Sequence, residues 1–203
     1  DLSLALGKGA DWIALSFVRL PSDFKFIKNM IQAKGYSTPI IAKIEQWEAV
    51  KNLNSIVENF DAVMVARGDL GVEMPIEKVP LIQNKVVQIA RSLGKPVIIA
   101  TQILDSMTNR PVPTRAEVSD IANSILDGAD ALMVTGETAV GKHPNKVIRV
   151  LKKVIKETER LTINQKHNDL ENENQIGTSQ AISHAACSVA RDQRIKILVT
   201  MTH

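Results

Sequence analysis

Charged residues stand where apolar runs end in this sequence. "AVMVARGDLGVEMP" (62–75) passes from Ala62, Val63, Met64, Val65 and Ala66 straight into Arg67, Gly68 and Asp69. An isolated buried charge costs several kcal/mol unless it is paired or binds a metal. That run is therefore expected to end on something that neutralises it. "PIIAKIEQ" (39–46) sets Lys43 and Glu45 two residues apart, on one face of an extended chain. Neighbouring parallel strands lie about 4.8 Å apart, so Glu45 and Asp69, at the ends of consecutive runs, can share one hard cation. Two carboxylates completed by substrate oxygens and water are the usual setting of Mg²⁺. Lys43 is then a fixed positive charge facing an anionic substrate. Gly68 lets backbone N–H groups approach a substrate carboxylate closely. The remaining runs end in Ser16 and Arg19, in Thr101 and Gln102, and in Thr135, Glu137 and Thr138. Each of these has an ordinary reading as well. A Lys-x-Glu at a strand end is commonly a surface ion pair, and Thr101 can simply cap the next helix.

The elements that must position these residues alternate regularly. The apolar runs are "WIALSF" (12–17), "PIIAKI" (39–44), "AVMVAR" (62–67), "PVIIAT" (96–101) and "ALMVTG" (131–136). Helical patterns separate them. "PSDFKFIKNMIQAKG" puts Phe24, Ile27 and Ile31 on one face, and "QWEAVKNLNSIVENF" repeats Val50, Leu53 and Val57. "EKVPLIQNKVVQIARSLGKP" ends in Gly94. "PTRAEVSDIANSILDGAD" opens with a capping box, Thr114 and Glu117, and closes at Gly128. Gly-Ala-Asp precedes a strand twice, at 9–11 and 128–130. Such alternation means parallel strands with crossover helices, as an open sheet or as part of an eight-stranded barrel. In both, function gathers at the carboxyl ends of the strands. No G-x-G-x-x-G follows a strand, which argues against a dinucleotide fold.

Composition excludes several classes. The chain has 203 residues, 44% hydrophobic and 23% charged, with a net charge of +3. Aromatics make up only 3%, so the core must be built of aliphatic residues. The cations are spread along the chain and no nucleic-acid motif appears. No apolar run is long enough to span a bilayer, and there is no signal peptide. The single cysteine, Cys187, is expected as a small buried hydrophobe in a reducing compartment, and a cytoplasmic location follows. The four histidines show no zinc spacing. "RGD" following a buried strand does not suit a cell-adhesion motif. The chain opens at Asp1 and stops after "IKILVT", so a piece of a larger protein is expected.

The strings "AKIEQWEAV", "DAVMVARGDLGVEMPIEKVPLIQ", "GKPVIIATQILDSM" and "RPVPTRAEVSDIANSILDGADALMVTGETAVGKHP" closely resemble pyruvate kinase, almost continuously to about residue 160. The resemblance implies phosphoryl transfer from phosphoenolpyruvate to ADP, giving pyruvate and ATP. It implies Mg²⁺ (or Mn²⁺) and K⁺ as cofactors and a cytoplasmic homotetramer. Glu45 and Asp69 become the divalent-metal ligands, and Lys43 stabilises the transferring phosphoryl group and the enolate oxygen. The backbone around Arg67, Gly68 and Asp69, with Thr101, holds the substrate carboxylate, and Thr101 lies near the face where the enolate is protonated. Gln46 stands where many members have Asn. The expected fold is a partial (β/α)8 barrel over 1–162, a linker at 163–177, and the start of a small α/β C-terminal domain over 178–203. In that last part Thr200 and Thr202 resemble the opening of the family's effector-phosphate loop. Three earlier barrel strands and an inserted β-domain are not in the chain, so the chain itself is expected to be inactive.

Two alternatives stand beside this reading. One is another Mg²⁺-dependent barrel enzyme binding phosphoenolpyruvate or pyruvate. The other is a non-catalytic subunit-contact module, since the helices after Pro75 and Pro113 lie where the family packs its subunits.

Overall fold

Five apolar runs form one parallel sheet: β1 (Ile13–Leu15), β2 (Ile40–Ile44), β3 (Ala62–Ala66), β4 (Val97–Ala100) and β5 (Ala131–Met133), side by side in chain order. The structure is a computed structural model and describes residues 1–164, 178–193 and 195. The chain divides into two compact units, Asp1–Asn164 and Gln165–His203. In the first, α1 (Leu2–Gly7) precedes the sheet and α2 (Ser22–Gln32) links β1 to β2. Two helices, α3 (Trp47–Lys51) and α4 (Leu53–Asn59), link β2 to β3. Helices α5 (Arg67–Glu73) and α6 (Val79–Ser92) link β3 to β4, and α7 (Arg115–Asp127) links β4 to β5. Then come α8 (Gly136–Ala139) and α9 (Pro144–Asn164). In the second unit α10 (Thr178–Asp192) is described. The expected strand beyond Ile195, with Thr200 and Thr202, lies outside the described residues, as does 165–177 of the expected linker. Cys187 is exposed on α10, not buried as its composition class suggested.

Period-two alternation sorts the strands into two faces. Ile40, Ala42, Ile44, Val63, Val65, Val97 and Ile99 belong to the large cluster shared with the helices. Ile41, Ala62, Met64 and Ala100, with Ile98 and Met133, form a second, smaller cluster on the opposite face. Lys43 and Glu45 continue the alternation of Ile41, so they fall on the face of the small cluster. β3 is buried at every position and β2 and β4 at all but one, whereas β1 and β5 are half-exposed, each with one neighbour. The sheet is therefore open, as a partial barrel requires.

Three local features depart from the periodicity. The helix expected over 46–60 breaks at Asn52 (φ −102, ψ 18). Its side-chain amide donates to the carbonyls of Glu48 and Arg19, both at 3.0 Å, and so competes with the helix ladder. The third strand stops at Ala66, and Arg67 opens α5 instead of ending the strand. The repeated Gly-Ala-Asp also proves less general than its last residue. Asp130 Oδ2 accepts the Val97 N–H at 2.8 Å, and Asp61 Oδ2 accepts the Ile40 N–H at 2.8 Å without any Gly-Ala before it. What the strand entry needs is a carboxylate for the first N–H of the preceding strand. The capping box at Thr114 and Glu117 forms as expected, and α7 ends at Gly128 with φ 107, a conformation that favours glycine.

Candidate active site

The ends of β1 and β2 meet in one corner. Glu45, one residue beyond β2, is 1% exposed. Its Oε1 accepts the Phe17 N–H at 2.6 Å. Phe17 stands at φ 58, a left-handed conformation that is uncommon for a bulky residue. Lys43 Nζ donates to Ser16 Oγ at 2.9 Å and lies 2.8 Å from Glu45 Oε2. That second approach is off hydrogen-bonding geometry, so Oε2 is compensated by charge while accepting no hydrogen bond. The Lys-x-Glu pair is thus not a surface pair. It is a buried carboxylate with one oxygen accepting a backbone N–H and the other facing the Lys43 ammonium without a hydrogen bond. Among the described residues, no group of three or more His, Cys, Asp or Glu side chains could hold a metal by itself.

The ends of β3 and β4 form the second corner. Thr101 (φ 67) and Gln102 (φ 53) are consecutive non-glycine residues in the left-handed region. The Arg67 guanidinium, in a residue only 7% exposed, holds both carbonyls. Nε and Nη2 donate to Thr101 O at 3.2 and 2.9 Å, and Nη2 donates to Gln102 O at 2.9 Å. Nη1 pairs with Asp120 Oδ2 at 2.7 Å and reaches Gln83 Oε1 at 3.5 Å. The Gly68 N–H donates to Thr101 Oγ1 at 2.7 Å. A Cβ at residue 68 would stand 3.4 Å from that oxygen, an ordinary van der Waals contact.

Two carboxylates secure the rest of this loop. Glu137, 1% exposed, accepts the N–H groups of Leu104 at 3.0 Å and Thr135 at 2.7 Å. Burial pushes its carboxyl up, but N–H groups of Glu137 itself, Leu104, Thr135 and Ile103 outweigh that and hold it below the usual value. Glu117 accepts from the Ser106 N–H and hydroxyl at 2.7 and 2.6 Å, besides its capping bonds to Thr114. Burial again opposes ionisation, and these hydrogen bonds reverse it. Residues 101–106 are therefore tied by charged groups from three other elements.

The structure brings Lys43 and Glu45 together, and Arg67, Gly68 and Thr101 together. Asp69 is exposed on the first turn of α5. The register pairs Ile44 with Val65, so Glu45 aligns with Ala66, three residues before Asp69. The Arg67 side chain points into the protein's own backbone and is fully engaged there. Sequence reasoning missed Asp120 and Gln83, whereas Ser16 had been marked as a polar residue at a strand end. A signal existed for Asp120: Glu117, Asp120 and Ser124 recur at helical spacing on α7, and Ser124 is fully buried. A cavity of about 310 Å³ lies beside this clamp, lined by Arg67, Gln83, Gln102 and Asp120 among others, but by neither Lys43 nor Glu45.

Residues 1–148 match the family model for the pyruvate kinase barrel domain. The chain belongs to the pyruvate kinase family. It is 48% identical over 202 residues to pyruvate kinase 2 of Synechocystis, covering 100% of this chain and 34% of that protein. It is 56% identical over 156 residues to pyruvate kinase of Corynebacterium efficiens, covering 77% of this chain and 33% of that protein. A crystal structure of a pyruvate kinase from Cryptosporidium parvum superimposes with a TM-score of 0.86 at 37% identity, covering 99% of this chain and 43% of that one. The chain thus spans about a third of the length of the two bacterial pyruvate kinases.

Proposed function

We propose that this chain carries part of the catalytic face of a pyruvate kinase, which transfers the phosphoryl group of phosphoenolpyruvate to ADP. The observation that carries this reading is the corner of β1 and β2. A buried carboxylate there keeps one oxygen free of hydrogen bonds, beside a lysine, at the carboxyl end of a parallel strand. In the proposed reaction the enol-ester P–O bond breaks, a bond forms to the terminal oxygen of ADP, and the enolate takes a proton at carbon to give pyruvate.

Glu45, through Oε2, and Asp69 are the residues that would hold Mg²⁺ or Mn²⁺. When bound, this cation supplies charge neutralisation and orientation for the phosphoryl oxygens. Lys43 sets a positive charge beside the phosphoryl group in transfer and the enolate oxygen, on which negative charge builds as its bond to phosphorus breaks. Thr101, with the backbone at Gly68 and Asp69, orients the substrate carboxylate and so exposes one face of the enolate for protonation. K⁺ dependence, a cytoplasmic homotetramer and inactivity of these 203 residues alone belong to the same proposal. A coupled assay of the full-length protein that carries this chain tests it. ATP formation that requires phosphoenolpyruvate, ADP and a divalent cation is the expected result. No turnover under those conditions would favour the subunit-contact reading.

A further inference from the structure

Arg67 is nearly buried, and every nitrogen of its guanidinium has a partner within the protein. Its donors go to two consecutive carbonyls, Thr101 O and Gln102 O, and to Asp120 and Gln83. Those carbonyls belong to the two consecutive left-handed non-glycine residues of the second corner. Such conformations persist only where the surroundings over-determine them. Thr101 is β-branched, the side-chain type for which positive φ is least tolerated. Its hydroxyl is fixed from the other side by the Gly68 N–H at 2.7 Å.

We propose that the Arg67 side chain is a positioning residue that acts through Thr101. Its planar fork spans Thr101 O and Gln102 O, with Asp120 anchoring the far side, and this holds the chain in the left-handed turn that aims the Thr101 hydroxyl. This rests on the reading of Thr101 as part of the phosphoenolpyruvate site. A fork is required because two acceptors on adjacent residues must be bridged by donors fixed in one plane. A lysine offers a point charge and no such plane. The proposal separates Arg67 from the groups that touch substrate, although it opens the Arg67-Gly68-Asp69 string.

The decisive test is a double-mutant cycle in the full-length protein, with kcat and KM for phosphoenolpyruvate as readouts. Arg67→Met should lower kcat about a hundredfold, the cost of a displacement of roughly one ångström at a reacting group. Glycine adopts the left-handed region freely, so Gln102→Gly should restore about tenfold of that loss when combined with Arg67→Met. A guanidinium acting on substrate would gain nothing from glycine at 102, and an additive cycle in a folded protein overturns the proposal. If Arg67→Met does not fold, Arg67→Lys replaces it, with a smaller loss and the same rescue expected. Wild-type rates in Arg67→Lys would likewise overturn it. The same cycle read by urea unfolding needs no activity. If the wild type proves inactive, coupling between residues 67 and 102 in stability keeps the clamp and removes only the enzymatic reading. Additivity there removes the clamp as well.

Discussion

The two corners of the sheet both contain non-glycine residues at positive φ, and they are held in opposite ways. At the ends of β1 and β2, a catalytic candidate holds the strained residue: Glu45 accepts the Phe17 N–H through one oxygen, while the other faces Lys43 and accepts no hydrogen bond. At the ends of β3 and β4, a fully engaged arginine holds the strained pair and keeps nothing in reserve. Both corners bury charge, but only the first has unused capacity. Buried charge alone therefore does not mark chemistry. The distinguishing feature is an oxygen or ammonium whose hydrogen-bonding demand the protein has left unmet.

On that distinction, removing the lysine that faces the unbonded oxygen should do the most damage. Lys43→Met in the full-length protein should lower kcat about a thousandfold, the scale of losing a preorganised electrostatic group, with KM for phosphoenolpyruvate changed far less. Equal losses in kcat/KM and 1/KM with kcat intact would make Lys43 a ground-state binding group. Glu45→Gln comes next. It retains an acceptor for the Phe17 N–H but loses the charge on the open oxygen. Mg²⁺ affinity, followed by titration of binding as well as of activity, should fall by more than the roughly 10–100-fold typical of groups that merely support a ligand. Unaltered metal titration would remove Glu45 from the cation site.

The second corner should answer in stability instead. Glu137→Gln keeps the shape but offers one acceptor oxygen where two N–H groups were held by a carboxylate. A loss of about 1–3 kcal/mol is expected at neutral pH, read by urea unfolding. The carboxyl is held below the usual glutamate value in the folded chain. Its contribution is thus present above that value and disappears as pH falls through the lower, folded pKa. The gap between wild type and Glu137→Gln should therefore narrow under acid. A gap that is constant or widens there would show that the charge is not what secures Leu104.

The sheet was legible in the sequence because buried parallel strands carry unbroken apolar runs, and Ala62–Ala66 is buried at every position. Lys43 and Glu45 were legible because period two places them on one face. The burial of Glu45 was not, since it depends on the turn after β1, which brings Phe17 over it. The role of the Arg67 side chain was hidden for a different reason. Nothing in "VARGDLG" indicates that the guanidinium turns towards carbonyls 34 and 35 residues away. Positive φ at Thr101 and Gln102 leaves no compositional trace either, because neither residue is of the type that favours it. Asp69 was expected beside Glu45 at the end of consecutive strands, but the register sets Glu45 against Ala66, three residues before it. Its place on the first turn of a helix follows from β3 ending one residue early.

The smallest effect sharpens the comparison most. Phe17 and Gln102 are both strained, but only Gln102 has its carbonyl held by a guanidinium. Phe17→Gly removes a left-handed penalty of about 1–2 kcal/mol. Against this, glycine gives the unfolded chain freedom worth roughly 0.5–1 kcal/mol. Little packing is lost, because the Phe17 side chain is 63% exposed. The backbone N–H that Glu45 accepts is retained. Stability should therefore change by less than about 1 kcal/mol, and kcat should stay within about twofold of wild type, a few tenths of a kcal/mol. A large drop in kcat with stability unchanged would mean that strain at Phe17, and not merely its N–H, aligns Glu45. The first corner would then be held as tightly as the second, and the contrast between them would collapse.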